Sequence, residues 1–135
     1  MAITRAQLKD SLTRLNKLPL LDDDNLKRAF ENIAERMQAN EDIEYVFSSD
    51  NIPSTYLLVA TNRRVLIISR PLHGKEHEFE LSYKNTRNVT LKKGIFSPKI
   101  IIQTRDGRIY RFRTRSYEEC IMFAEFINKK IKYIL

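Results

Sequence analysis

At 135 residues, with 42% hydrophobic and 30% charged positions, the chain suits one packed domain and is too apolar to be disordered. A single cysteine excludes an internal disulfide framework and a cysteine-rich zinc site, and three glycines and four prolines exclude a fibrous or linker-rich chain. The formal charge of +7 is concentrated, because residues 84–115 hold ten Lys/Arg against one acid, Asp106, for a local +9.

The first four residues of the leading helix signal, Thr4-Arg5-Ala6-Gln7, have the form of a capping box. Leu8, Leu12 and Leu15 follow at helical spacing and predict a short amphipathic helix to about Asn16. Residues 17–21 contain Pro19 and read as a connector. Asp22, Asp23 and Asp24 place negative charge where a helix dipole favours it, at the start of a second helix. Leu26, Phe30, Ile33 and Met37 give that helix one apolar stripe, ending near Asn40.

The period then changes. Tyr45, Val46 and Phe47 form a short apolar run, and residues 48–55 form a loop with Asp50, Asn51 and Pro53. Residues 56–60 and 65–68 are continuous apolar runs about the turn Thr61-Asn62, which predicts two hairpin strands buried on both faces. After a loop with Pro71 and Gly74, His77, Phe79, Leu81 and Tyr83 alternate with Glu76, Glu78, Glu80 and Ser82, as in a half-exposed strand with an acidic, solvated outer face. Val89 and Leu91 alternate with Asn88, Thr90 and Lys92. Residues 99–104 and 109–113 flank Asp106-Gly107, a two-residue hairpin signal. Ser116-Tyr117-Glu118-Glu119 is a second capping box, and Cys120, Ala124, Ile127 and Ile131 make the buried stripe of a last helix. The fold class is therefore α+β: two N-terminal helices, seven antiparallel strands forming a curved sheet or open barrel, and a C-terminal helix capping it.

Certain residues resemble a known family. Leu58-Val59-Ala60-Thr61-Asn62-Arg63-Arg64-Val65-Leu66-Ile67-Ile68 is similar to the "apolar strand, T-N-x-R, apolar strand" hairpin of bacterial pleckstrin-homology-like (PH-like) domains of the YokE-like type. The stretch from Leu81 through Tyr83 to Val89 sits where that family has a tyrosine followed by a strand, and Lys93-Gly94-Ile95-Phe96 resembles its hairpin tip. The resemblance covers about residues 42–132 and implies a PH-like domain at 42–135; residues 1–41, outside it, are expected from their apolar stripes to form a helical hairpin. It implies a binding or scaffolding module without enzymatic activity or cofactor. A phosphoinositide ligand is not carried over, because residues 48–55 contain no cation for a phosphate cluster.

Three constellations bear on chemistry. His73-Gly74-Lys75-Glu76-His77 matches H-x-x-E-H, but Pro71, Gly74 and the alternation after His77 oppose the helix that a zinc site needs. Cys120 lies inside an apolar stripe and reads as a structural thiol. Glu76, Glu78 and Glu80 read as a solvated strand face. No bilayer-spanning run or signal-peptide core occurs, so the expected location is the cytoplasm.

The basic segment offers the candidate binding surface. Lys92, Lys93 and Lys99 flank a tip carrying Phe96. A two-residue Asp106-Gly107 turn pairs Gln103 with Tyr110 and Ile101 with Phe112. That register puts Ile101, Tyr110 and Phe112 inside, and Ile100, Ile102, Arg111 and Arg113 on one outer face. The expected partner is a protein. Nucleic acid or an anionic membrane surface reached through residues 84–115 is the alternative, and the helices offer a route to self-association.

Overall fold

The first helix opens as its sequence predicts. The N–H of Gln7 donates to the Thr4 hydroxyl (3.1 Å), and the N–H of Thr4 donates to the Gln7 side chain (2.8 Å). This helix, α1 (Arg5–Arg14), stops at Asn16, whose φ of 56° lets the Lys17 N–H return to the Leu12 carbonyl (2.8 Å) and the Asn16 N–H to Thr13 (3.1 Å). The Pro19 connector coils into a short 3-10 helix (Leu18–Asp22), and α2 (Asp24–Arg36) follows. The computed structural model describes residues 4–49, 54–71, 77–93, 97–114 and 116–134.

Seven strands succeed the helices: β1 (Ile43–Ser49), β2 (Ser54–Thr61), β3 (Arg64–Pro71), β4 (His77–Ser82), β5 (Thr86–Lys92), β6 (Lys99–Thr104) and β7 (Ile109–Arg113). They divide into a four-stranded sheet, β1-β2-β3-β4, and a three-stranded sheet, β5-β6-β7, with all neighbours antiparallel. The helix α3 (Tyr117–Ile134) closes the chain. The fold is the α+β, PH-like arrangement expected, with its helices at both ends of the chain.

The first sheet is buried on both sides, which is why β2 and β3 read as unbroken apolar runs. On one side Phe47, Leu58, Ala60, Val65 and Ile67 share a core with Val89, Ile100, Ile102 and Phe112 of the second sheet and Phe123, Ile127 and Ile131 of α3. On the other, Ile43, Val46, Leu57, Val59, Leu66 and Ile68 lie under Leu8 and Leu12 of α1, Phe30 and Ile33 of α2, and Met37 just beyond it. Two aromatic pairs cross between the sheets: Tyr56 meets Phe112 edge-on at 5.1 Å, and Phe79 stacks on Tyr110 at 5.3 Å.

α3 fills the corner where the sheets part. Its Asn128 amide accepts from the Val89 N–H (2.9 Å) and donates to the Val89 carbonyl (2.8 Å). One side chain thus satisfies both outward backbone groups at that position of the edge strand β5. At the start of α3 the Glu119 N–H donates to the Ser116 hydroxyl (3.2 Å), as a capping box requires. The Glu119 carboxylate instead takes Lys17 at 2.6 Å and the Tyr45 hydroxyl at 3.4 Å, tying α3 to the N-terminal connector and to β1.

The turn between β2 and β3 is densely hydrogen-bonded. Glu41, 2% exposed, receives both arms of the Arg64 guanidinium at 3.0 Å, the Thr61 hydroxyl at 2.6 Å and the Gln38 N–H at 2.9 Å. Asn62 bonds Asn40 and Asp42, and Arg63 bonds Gln38 and Ala39. The Thr-Asn-Arg-Arg turn therefore clasps residues 38–42, which link α2 to β1. The acids of β4 also depart from expectation. Glu78 pairs with Arg36 of α2 at 2.8 Å and Glu80 with Arg64 of β3 at 2.5 Å, so the exposed acids tie the strand to the helical layer and to the neighbouring strand.

Two outcomes test this account. Deleting residues 1–41 exposes six large apolar side chains of the first sheet, so the fragment should aggregate or lose its cooperative melt; a soluble, folded 42–135 fragment by size exclusion and circular dichroism would contradict it. Arg64→Ala strands the buried Glu41 carboxylate and should lower stability by about 3 kcal/mol near neutral pH. Burial alone pushes the Glu41 carboxyl up, but the bonds from Arg64, Thr61 and Gln38 more than reverse this and hold it below its ordinary 4.5. A lowered folded-state value means the network's contribution is complete above about pH 4.5 and fades as pH falls below it. Urea melts should accordingly show the gap between parent and variant narrowing in acid. A pH-independent gap would refute the assignment.

Candidate functional site

The hairpin joining β6 and β7 decides what the second sheet presents. Thr104 pairs with Arg108 across a three-residue loop: the Thr104 N–H donates to the Arg108 carbonyl (3.0 Å) and the Arg108 N–H to the Thr104 hydroxyl (2.9 Å). The Thr104 hydroxyl also bonds the Asp106 carboxylate, which it holds below the usual carboxylate range, and Gly107 takes φ +90°. This is a turn followed by a left-handed glycine, not the two-residue turn that Asp-Gly predicts.

The extra loop residue shifts the register by one, so Ile100 pairs with Phe112, Ile101 with Arg111, and Ile102 with Tyr110. The expectation for Ile100 and Ile102 is thereby corrected. They are 0% and 1% exposed, inside the core, and belong to no surface. Ile101 is the isoleucine that turns outward, half-buried. Arg111 and Arg113 point outward as expected, and Tyr110 and Phe112 point inward.

The outer face is a grid of three rows. Lys92, Lys99 and Arg113 are directly opposite one another across the three strands, and Thr90, Ile101 and Arg111 form the next row. Asn88, Gln103 and Ile109 form the third, with Ile109 48% exposed. Strands lie about 4.8 Å apart, so the first row sets three cations within about 10 Å. Like charges directly opposite one another destabilise a sheet, and this row has them across both strand pairs. Lys93, just beyond β5, lies over the Tyr117 ring at 5.0 Å. Phe96, with the rest of the tip, falls outside the described residues.

Neither catalytic candidate gains a setting. His77 is exposed at the start of β4, on a strand, while His73 is outside the described residues. The Cys120 thiol is fully buried, and burial with the neighbouring Glu119 charge pushes it up to about 11, far from a reactive thiolate at neutral pH. Two tyrosines are also shifted upward: half-buried Tyr45 by desolvation and Glu119, and buried Tyr83 by desolvation and the Glu44 and Glu41 charges, with the Tyr83 hydroxyl donating to the Thr61 carbonyl. No described helix is long and apolar enough to cross a membrane.

No curated protein matches the chain. The family described as Bacterial PH domain matches residues 37–129, from the last turn's exit of α2 through the strands and well into α3. That span holds the Glu41–Arg64 clasp, both sheets and the Asn128 cap, and so the chain belongs to the bacterial PH domain family.

Proposed function

We propose that this chain is a cytoplasmic, non-enzymatic PH-like interaction module, of the YokE-like type, that binds an acidic protein partner through the outer face of its second sheet. The observation that carries the reading is the row Lys92, Lys99 and Arg113. A sheet that held these residues for solubility alone would gain by spacing them, whereas side by side they form a focused positive field. Lys93 and Arg111 extend the field, and Thr90, Asn88 and Gln103 supply neutral hydrogen-bonding groups around it. A protein is favoured over nucleic acid because Tyr110 and Phe112 turn into the core, so the described strand face offers no ring on which a base could stack, and the exposed ring beside it, Tyr117, lies under Lys93.

The test pairs capture with charge reversal. The parent chain and a Lys92→Glu/Lys99→Glu variant are used as baits against native extract, and retained proteins are measured with each. Both lysines lie at the surface, so the variant should melt like the parent. The expected result is a partner that the variant holds at least about tenfold more weakly. In parallel, gel shifts with duplex and single-stranded DNA and RNA, and sedimentation with phosphatidylserine vesicles, are run across salt concentrations. Tight nucleic-acid binding with a steep salt slope, or charge-dependent vesicle binding, would replace the protein partner by that polyanion.

A further inference from the structure

α3 carries a second stripe that the fold covers only in part, at Phe126. Cys120, Phe123, Ala124, Ile127 and Ile131 face the core. Met122, Phe126, Lys129 and Tyr133 recur at intervals of four, three and four residues and line a different face, in the 3.5-residue rhythm of a helix seam. Met122 is 46% exposed and Tyr133 78%, with Lys129 exposed between them. Phe126 is half-buried, stacked on Tyr45 at 5.5 Å. Phe126, Lys129 and Tyr133 form one wall of a groove of about 540 Å³ whose opposite wall includes Arg14 and Leu15, while Met122 lines a separate, smaller groove beside Lys17 and Tyr45. Glu125 and Lys132 flank it on one side, and among the described residues no ion pair engages Glu125, Lys129 or Lys132.

The stripe is complementary to itself when reversed. A two-fold axis across α3 between Ile127 and Asn128 sets Met122 against Tyr133 of a second copy, and Phe126 against its Lys129. The first is a thioether on a ring, occurring twice; the second sets Lys129 beside a Phe126 ring that Tyr45 and Lys130 already engage. Glu125 then comes across from Lys132 of the second copy, again twice. A parallel arrangement would instead put Lys129 on Lys129, an unrelieved repulsion in the seam. We infer that the chain self-associates as a two-fold dimer by antiparallel packing of α3 along Met122, Phe126, Lys129 and Tyr133. The seam uses no residue of the basic face and stands whether or not that face binds a protein. It spans about 16 Å, three helical turns, so the dimer is small for a stable interface and forms reversibly.

Sedimentation velocity of the full chain from about 5 µM to about 500 µM tests the inference. The expected result is a mass that rises with concentration from monomer toward dimer. Tyr133→Asp should leave the chain monomeric throughout. Glu125→Lys and Lys132→Glu should each weaken the dimer about tenfold, and the double variant Glu125→Lys/Lys132→Glu should recover it, because each reversed charge then meets its opposite. These side chains lie at the surface, so thermal melts should match the parent and separate lost association from lost folding. A monomer at every concentration, a dimer indifferent to Tyr133→Asp, or a double variant no better than the single ones would each overturn it.

Discussion

The position of the N-terminal helices depends on one buried ion pair. Glu41 sits at the exit of the α2 connection with its carboxylate out of water, and the fork of Arg64 is what makes that tolerable. Because Arg64 opens β3 and Glu41 precedes β1, the pair fixes the hinge between helix and sheet. Arg64 also reaches the Arg36 carbonyl and Glu80, so the same guanidinium touches the end of α2 and the edge strand β4. Thr61 adds its hydroxyl to the carboxylate while accepting the N–H groups of Arg63 and Arg64, which shapes the turn that presents the arginine.

The rest of the architecture follows from having that hinge rigid. With α1 and α2 held over β2 and β3, the first sheet has two apolar faces to bury and two cores to bury them in. The second sheet has only one. Its inner face joins α3 and the first sheet, and its outer face remains the broad uncovered sheet surface of the described protein. In β6 and β7 burial therefore alternates, with Ile100, Ile102 and Phe112 inside and a mostly polar outer side that also carries Ile101 and Ile109, while β2 and β3 are buried on both sides. The segregation of charge into residues 84–115 is thus a consequence of layering: those are the strands with a wet side.

α3 links the two regions. Asn128 caps the edge of β5, Glu119 reaches the N-terminal connector, and Lys130 pairs with Glu44 of β1. A helix committed on so many sides can offer only a narrow remaining face, and that face carries Met122 and Tyr133. The chain thus has two exposed surfaces of different chemistry, one flat and basic on the second sheet and one apolar and self-complementary on α3.

Local chemistry made much of this legible in the sequence. The capping box at Thr4, the Ser116 hydroxyl cap, the helical stripes through Phe30 and Ile127, and the unbroken runs of β2 and β3 each encode a structure whose period or cap involves near neighbours only. So did the outward direction of Arg111 and Arg113, which alternate with aromatic residues. What escaped was whatever a distant partner decides. Glu78 and Glu80 look solvated along the strand, and their ion pairs come from Arg36 at the end of α2 and Arg64 on the neighbouring strand β3. Glu41 gives no sign of burial until the Thr61–Arg64 turn folds over it. The three isoleucines at 100–102 carry no alternation, so their inside and outside were set by the hairpin loop, where the Thr104 hydroxyl, binding Asp106 and Arg108, admits one residue more than Asp-Gly alone requires. Periodicity is a property of the local chain and survives translation into sequence; register and ion pairing are properties of two segments meeting, and tertiary structure decided them.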